Sequence, residues 1–311
     1  MTKTASGHCR VNLTSTKNMK IKYLVVLIVL ISNPIYAQGV ATVVDATDGS
    51  GIPYANIVVE NESIGTSSDE NGDFKFTPLF VGKNLKISAV GYKPKSLKFS
   101  PDALKIPLDP NVTDLDEVVI EKQRKTLFYT IGEFKKSAVK HFMSASNKTP
   151  WMIARFFPYD TVYKATPFLS SVKLNTLSEI NGAKFNIRLY GVAENGQPGA
   201  LLADENIIGT AKRGNRIVEI SLEHLKIEFP PAGLFVVYEY IIIDENKYEF
   251  DYKDPVSKRR DHHLSYEPVI GCIYTDTSAS SWLYKSGVWN HLEFNSIQYC
   301  LLMAVALKLS N

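Results

Sequence analysis

Cysteine is scarce in this sequence, with three in 311 residues. They stand at Cys9, Cys272 and Cys300, and no two have Cys-x-x-Cys spacing. That excludes a thioredoxin-type redox pair and a structural zinc site built on paired thiolates. Histidine is also sparse, and beyond His8 in the leader none is followed three residues later by glutamate. The residues at that spacing are Ser144 after His141, Ile227 after His224, Ser265 after His262, Tyr266 after His263 and Phe294 after His291. The metal-holding pair of a zinc carboxypeptidase is therefore missing. No Gly-x-Ser-x-Gly elbow supports serine hydrolase chemistry. The longest uncharged apolar run, 23–31, covers roughly 14 Å as a helix, about half of a ~30 Å hydrocarbon core, so no lasting transmembrane span is expected.

An excess of charge is lacking too. The formal net charge is +3, but Lys3, Arg10, Lys17, Lys20 and Lys22 all precede residue 38 and no acidic residue does. Beyond that point 30 basic residues face 32 acidic ones. A chain this close to neutrality has no overall electrostatic footprint for nucleic acid or anionic lipid.

What is present is ordinary globular material, 45% hydrophobic and 22% charged, long enough for two domains. Residues 1–37 read as a leader and signal peptide. Lys20 and Lys22 form a basic n-region, the apolar run follows, Asn33-Pro34 breaks it, and Ala37 offers a small residue for cleavage. Export is the expectation, to the periplasm, the outer membrane surface or the medium, and no cysteine follows the cleavage point to carry a lipid anchor. Cys272 and Cys300 then face an oxidising compartment, either joined in a disulfide worth roughly 3 to 4 kcal/mol or left as two buried thiols.

From Gln38 onward the pattern is β. Val40, Thr42 and Val44 alternate with Ala41 and Val43; Asp48-Gly49-Ser50-Gly51 and Pro53 make a turn; Ala55, Ile57 and Val59 resume the alternation. Gly65 and Asp69-Glu70-Asn71-Gly72-Asp73 supply further reversals before Phe74 and Phe76. A small antiparallel sandwich over 38–110 follows. Its turn residues, Val43 and Asp45, Gly51 and Pro53, Ala55-Asn56, Gly65-Thr66, Asp69 to Gly72 with Phe74, and Gly91-Tyr92, resemble the carboxypeptidase regulatory-like domain. That transthyretin-like β-sandwich is common in exported proteins of Bacteroidetes-type bacteria. The resemblance covers about 70 residues, and departs from the pattern at Ala41-Thr42, where a glycine is usual, and at Ser67-Ser68, where threonine is.

Residues 111–150 read as a linker strand and a bridging helix. Leu115-Asp116-Glu117-Val118-Val119-Ile120 resembles the segment that follows the same small domain in TonB-dependent outer-membrane receptors. Too little chain remains for a plug and barrel, so an edge strand is expected, with an accessory role in such an uptake system as an alternative. Over 130–148, Ile131, Phe134, Ala138 and Phe142 at spacings of three and four predict a helix. Residues 151–311 read as a second, jelly-roll-like β-sandwich, with strands at 152–157, 168–175, 184–192, 205–209, 216–221, 234–243 and 298–309. The alternation in 185–190 places Phe185, Ile187 and Leu189 inside, with 234–240 as the pairing partner. The second half is similar to sandwich modules of exported Bacteroidetes proteins, and the resemblance implies no particular activity.

Candidate chemistry is thin. Asp261-His262-His263 holds suitable metal ligands, but neighbours on an extended chain point opposite ways. Asp69-x-Asn71-x-Asp73 begins like a calcium loop, yet Phe74 stands where glycine is required and Phe80 where the closing glutamate belongs, so a β-turn is expected. A glycosidase acid pair hidden in the second sandwich is an alternative that sequence spacing does not test. Aromatics remain: Trp282, Tyr284 and Trp289, with His291, in a hairpin turning at 285–287. On one sheet face, such rings either stack against sugars or close an end of the core. The expectation is thus a non-catalytic exported module, with no cofactor or metal, binding a glycan or an envelope protein through Trp282, Tyr284 and Trp289.

Overall fold

The computed structural model describes residues 39–62, 64–111, 126–144, 150–253, 258–275, 281–285, 288–292 and 300–311. The expected leader, the segment at 115–120 and the tip of the 285–287 turn lie outside these residues. Strand dominates, and the helical pieces among the described residues are short 3-10 turns.

In the first module the chain's alternating residues form two facing sheets. Gly39–Asp45 lies between Asp73–Phe76 and Lys105–Leu108; Gly65–Ser67, Asn56–Val59, Asn84–Ser88 and Lys95–Lys98 form the other sheet in that order. Val43, Ile57, Leu85, Ile87 and Leu108 meet between them with no exposed surface. Each such side chain contributes about 1.5 to 3 kcal/mol by leaving water. The expected antiparallel sandwich needs one correction: Gly39–Asp45 runs parallel to Lys105–Leu108, with Val43 opposite Ile106. The acidic turn caps itself, because the Asp69 carboxylate accepts from the amides of Asn71 at 2.8 Å and Asp73 at 3.0 Å. Gly72 completes the reversal at φ +85°.

The second module is also two sheets. One runs Pro198–Leu201, Ala183–Val192, Leu234–Tyr240, Met152–Phe157, Ser281–Lys285, Val288–His291, with Ile207–Ala211 also pairing Ala183–Val192. The other runs Cys300–Met303, Val269–Thr275, Phe168–Ser178, Val305–Ser310, Phe128–Ile131. Gly214–Ser221 pairs Phe168–Ser178, and His141–Met143 pairs Val269–Thr275, in the same sheet. The predicted pairing of 185–190 with 234–240 is observed, from Phe185 opposite Tyr240 to Tyr190 opposite Phe235. Ile153, Phe185, Leu189 and Val236 pack against Val172, Leu174, Val305 and Leu307. Arg155 spans the two sheets, donating to the carbonyls of Met303 at 2.9 Å and Val305 at 2.7 Å, and burial pushes its pKa down to about 10. These carbonyls flank Ala304, where the strand expected over 298–309 is broken in two.

The predicted helix over 130–148 is not formed in its described part, 130–144; residues 145–148 lie outside the described residues. Phe128–Ile131 and His141–Met143 are strands, with a 3-10 turn at Lys136–Ala138. Their partners lie in the second sandwich, so the described part of the expected linker belongs to that module. Gly132 at φ +70° ends the first strand. Phe134 and Val139 cover Ala304 and Ala306 on the outside of a sheet, a use of apolar spacing that local periodicity mistakes for a helical stripe.

The two modules are tied together within a single compact unit, Gln38–Asn311. Ser67 and Ile242 exchange hydrogen bonds at 3.3 and 3.2 Å. Asn206 donates to the Pro53 carbonyl at 3.2 Å, and Lys184 reaches both Tyr54 and Glu70 at 3.2 Å. Lys75 pairs with Asp244 beside a cleft of about 210 Å³. Gly91, at φ +79°, approaches so closely that a Cβ there would lie 2.6 Å from the Asp204 carbonyl oxygen.

Candidate functional site

Alternation puts every second residue of the first sheet of the larger sandwich on the side away from the main core. On Ala183–Val192 these are Asn186, Arg188 and Tyr190, lying opposite Glu239, Val237 and Phe235. Met152, Ala154 and Phe156 continue the rows on the next strand. Tyr284 then lies opposite Met152 and Trp282 opposite Ala154. Trp289 and His291 complete them, opposite Tyr284 and Trp282. The structure therefore brings Trp282, Tyr284 and Trp289 onto one face, as the sequence pattern anticipated. All three rings are partly exposed.

Tyr284 and Trp289 meet with ring centroids 5.1 Å apart, and Trp282 stands edge-on to both Phe235, at 6.5 Å, and His291, at 5.2 Å. Trp289 also reaches Tyr190, 6.0 Å away at 80°. Three strands separate those two residues. At ~4.8 Å per strand and with Tyr190 four residues further along than Asn186, which shares the row of Trp289, their backbones would lie ~23 Å apart in a flat sheet, so the sheet curls toward this face and both side chains lean inward across it. The rings are mutually tilted, leaving edges and faces of several rings open on the same side.

Beneath the rings lies a charge pair. Arg188 donates from Nε and Nη2 to the two carboxylate oxygens of Glu239, each at 2.7 Å. Asn186 adds a third donor to Glu239 at 3.0 Å and accepts from the Ile207 amide at 3.0 Å. The two charged side chains are 4% and 2% exposed. Burial by itself acts to lower the Arg188 pKa, but the facing carboxylate outweighs it and the guanidinium is held above its ordinary value. Burial likewise raises the hydroxyl pKa of Tyr190 and of Tyr284. Chemically the arrangement offers partly exposed apolar ring surface over a carboxylate whose oxygens are already occupied, with the Tyr190 hydroxyl turned toward Arg188. Tyr190, Phe156 and Phe235 were not singled out from sequence. Nor were Arg188 and Glu239, because charged residues alternating with core residues read as a solvated face.

The other sequence candidates separate. Cys272 is a buried free thiol. Its strand pairs with Cys300–Met303 so that Cys272 faces Met303 while Cys300 faces Thr275. A three-residue offset, about 10 Å along a strand, exceeds the ~7 Å Cα separation a disulfide tolerates, so the Cys272–Cys300 bond is not formed. His262 and His263 do point opposite ways, the first to Asp251 at 3.0 Å and the second against the Phe250 ring at 5.1 Å. Among the described residues no three His, Cys, Asp or Glu side chains gather as a metal site. No helix among them is long and apolar enough to cross a membrane.

The fold defines a two-module, mainly β protein whose larger sandwich carries a partly buried aromatic face. Residues 41–120, about a quarter of the chain, match the CarboxypepD_reg-like domain family, and the first module is a carboxypeptidase regulatory-like domain. No curated protein matches the chain. Among solved structures, the cysteine protease and lectin-like domains of Cwp84, a surface layer associated protein of Clostridium difficile, match 52% of this chain at 14% identity and a TM-score of 0.33. The infectious bursal disease virus Gx strain structure matches 88% at 9% identity and a TM-score of 0.24. The chain spans 32% of the first and 62% of the second. Scores this low do not establish a common topology.

Proposed function

We propose that this chain is a non-catalytic binding protein of the bacterial cell envelope, exported by its leader. In this reading the regulatory-like domain is a stiff mount and the larger sandwich presents Trp282, Tyr284 and Trp289 to a glycan. The observation that carries the reading is the gathering of those three rings, with Tyr190 and Phe156, on one sheet face where each keeps solvent-accessible surface. Pyranose rings offer C–H faces to aromatic faces, so such a surface recognises sugars by stacking more than by charge. Contact in preference to turnover is supported by Glu239, whose two oxygens are taken by Arg188 and Asn186 and are thus withdrawn from acid or base work.

The test is glycan-array binding of residues 38–311, with each of Trp282, Tyr284 and Trp289 changed to Ala. Loss of about tenfold or more in affinity per ring, measured at a temperature where circular dichroism shows each variant folded, is the expected result. Absence of any glycan ligand, or binding indifferent to all three substitutions, would end the proposal.

A further inference from the structure

The face that holds Trp282, Tyr284 and Trp289 is short of available positive charge. Besides His291, alternation brings Lys184, Arg188 and Glu239 to this side of the sheet, and these are its charged side chains among the described strand residues. Both cations are already committed. Lys184 reaches across to the first module, to Tyr54 and Glu70 at 3.2 Å each. Arg188 is 4% exposed and keeps its Nε and Nη2 donors on the Glu239 carboxylate. Lys285, the cation of the ring hairpin, alternates to the other side of the sheet together with Leu283, which packs against the main core.

The sequence around the face adds acids and no bases. Glu194 follows two residues after Val192, and the stretches flanking the hairpin strands, 276–280, 286–287 and 293–299, hold Asp276 and Glu293 and no Lys, Arg or His. A carboxylate carried onto the rings would therefore give up part of its water and meet no free cation in exchange, a cost that a neutral sugar hydroxymethyl group does not bear. Bidentate recognition of a uronic acid needs an open guanidinium fork, and the fork on this face is closed by Glu239. Stacking of sugar C–H faces on the rings needs neither.

We infer that the ring face takes uncharged glycan chains and discriminates against uronic-acid ones. The inference rests on the glycan reading above and adds to it the class of sugar. Selectivity here comes from a missing partner for the wrong ligand, with no dedicated contact to the right one.

An array carrying gluco-, manno- and galacto-hexasaccharides, each beside the same chain oxidised at C6 to the uronate, tests it with residues 38–311 at about pH 8, above the ordinary histidine range. The ring-dependent part of the binding, defined as what Trp282→Ala removes, should fall on neutral chains, with the uronate counterparts about tenfold weaker or more. Val192 packs with the rings at the end of its strand. Val192→Lys, which sets a cation among them, should strengthen uronate binding about tenfold over Val192→Met, which has similar length and no charge. All variants are compared at a temperature where circular dichroism shows them folded. Ring-dependent binding of uronates as tight as that of the neutral chains overturns the inference and leaves the glycan reading standing. So does uronate binding no stronger in Val192→Lys than in Val192→Met. If Trp282→Ala removes binding to neither class, the glycan reading fails and the inference falls with it.

Discussion

Replacing Glu239 with Gln puts the buried charge pair to its most direct test. The carboxylate accepts two bonds from Arg188 and one from Asn186, and both charged side chains are almost wholly removed from solvent. Gln keeps the shape and one acceptor oxygen but leaves the guanidinium as an uncompensated charge in a site almost wholly removed from solvent. Breaking such a pair from one side costs about 3 to 5 kcal/mol. At roughly 2 to 4 °C per kcal/mol for a protein of this size, the midpoint should fall by about 10 °C. The double change Arg188→Met with Glu239→Leu removes both charges at similar volume, and should recover most of the loss or exceed the parent, because two desolvation penalties vanish together. Thermal and urea melts followed by circular dichroism read both variants. A loss under about 1 kcal/mol for Glu239→Gln would show that water reaches the pair. A double variant as unstable as the single one would show that the charges are not what matters there.

Two further outcomes follow from burial. Cys272 carries no disulfide and its thiol pKa is pushed up to about 12 by burial, so with Cys300→Ser in residues 38–311 its thiolate population at pH 8 is about 1,000-fold below that of an ordinary thiol. Labelling should be slow in the native protein and fast in denaturant, with dithiothreitol leaving the melting temperature unchanged; rapid native labelling would refute the buried placement. Glu267 is held above the usual carboxyl range chiefly by burial, against the lowering effect of the Ser265 hydrogen bond. A raised folded pKa means that its favourable contribution is complete below about pH 4.5 and is lost as pH rises through the folded value. Glu267→Gln, which does not ionise, should therefore gain stability relative to the parent at pH 7 and show no such gain at pH 4; the same difference at both pH values would refute it.

Much of the architecture is written locally. Alternation in 38–76 and 185–190 determines strands and their inward faces, since a period of two has only one way to bury Val43 or Phe185. Turn residues such as Gly72 encode the reversals because few other side chains tolerate its positive φ. The grouping of Trp282, Tyr284 and Trp289 was legible for the same reason, as a short hairpin aligns its own side chains. What local pattern does not hold is the identity of the neighbour. Ile131, Phe134 and Phe142 have helical spacing, yet sheet partners more than a hundred residues away claim them. Cys272 and Cys300 are compatible with a bond until strand register separates them. Arg188 and Glu239 stand on the side of the sheet away from the main core and are nonetheless buried, on a face that also holds Tyr190, Met152 and Tyr284 from separate stretches of the chain. Period is a property of a few consecutive residues, whereas burial and register depend on which distant strands pair, and that is decided only when the whole chain packs.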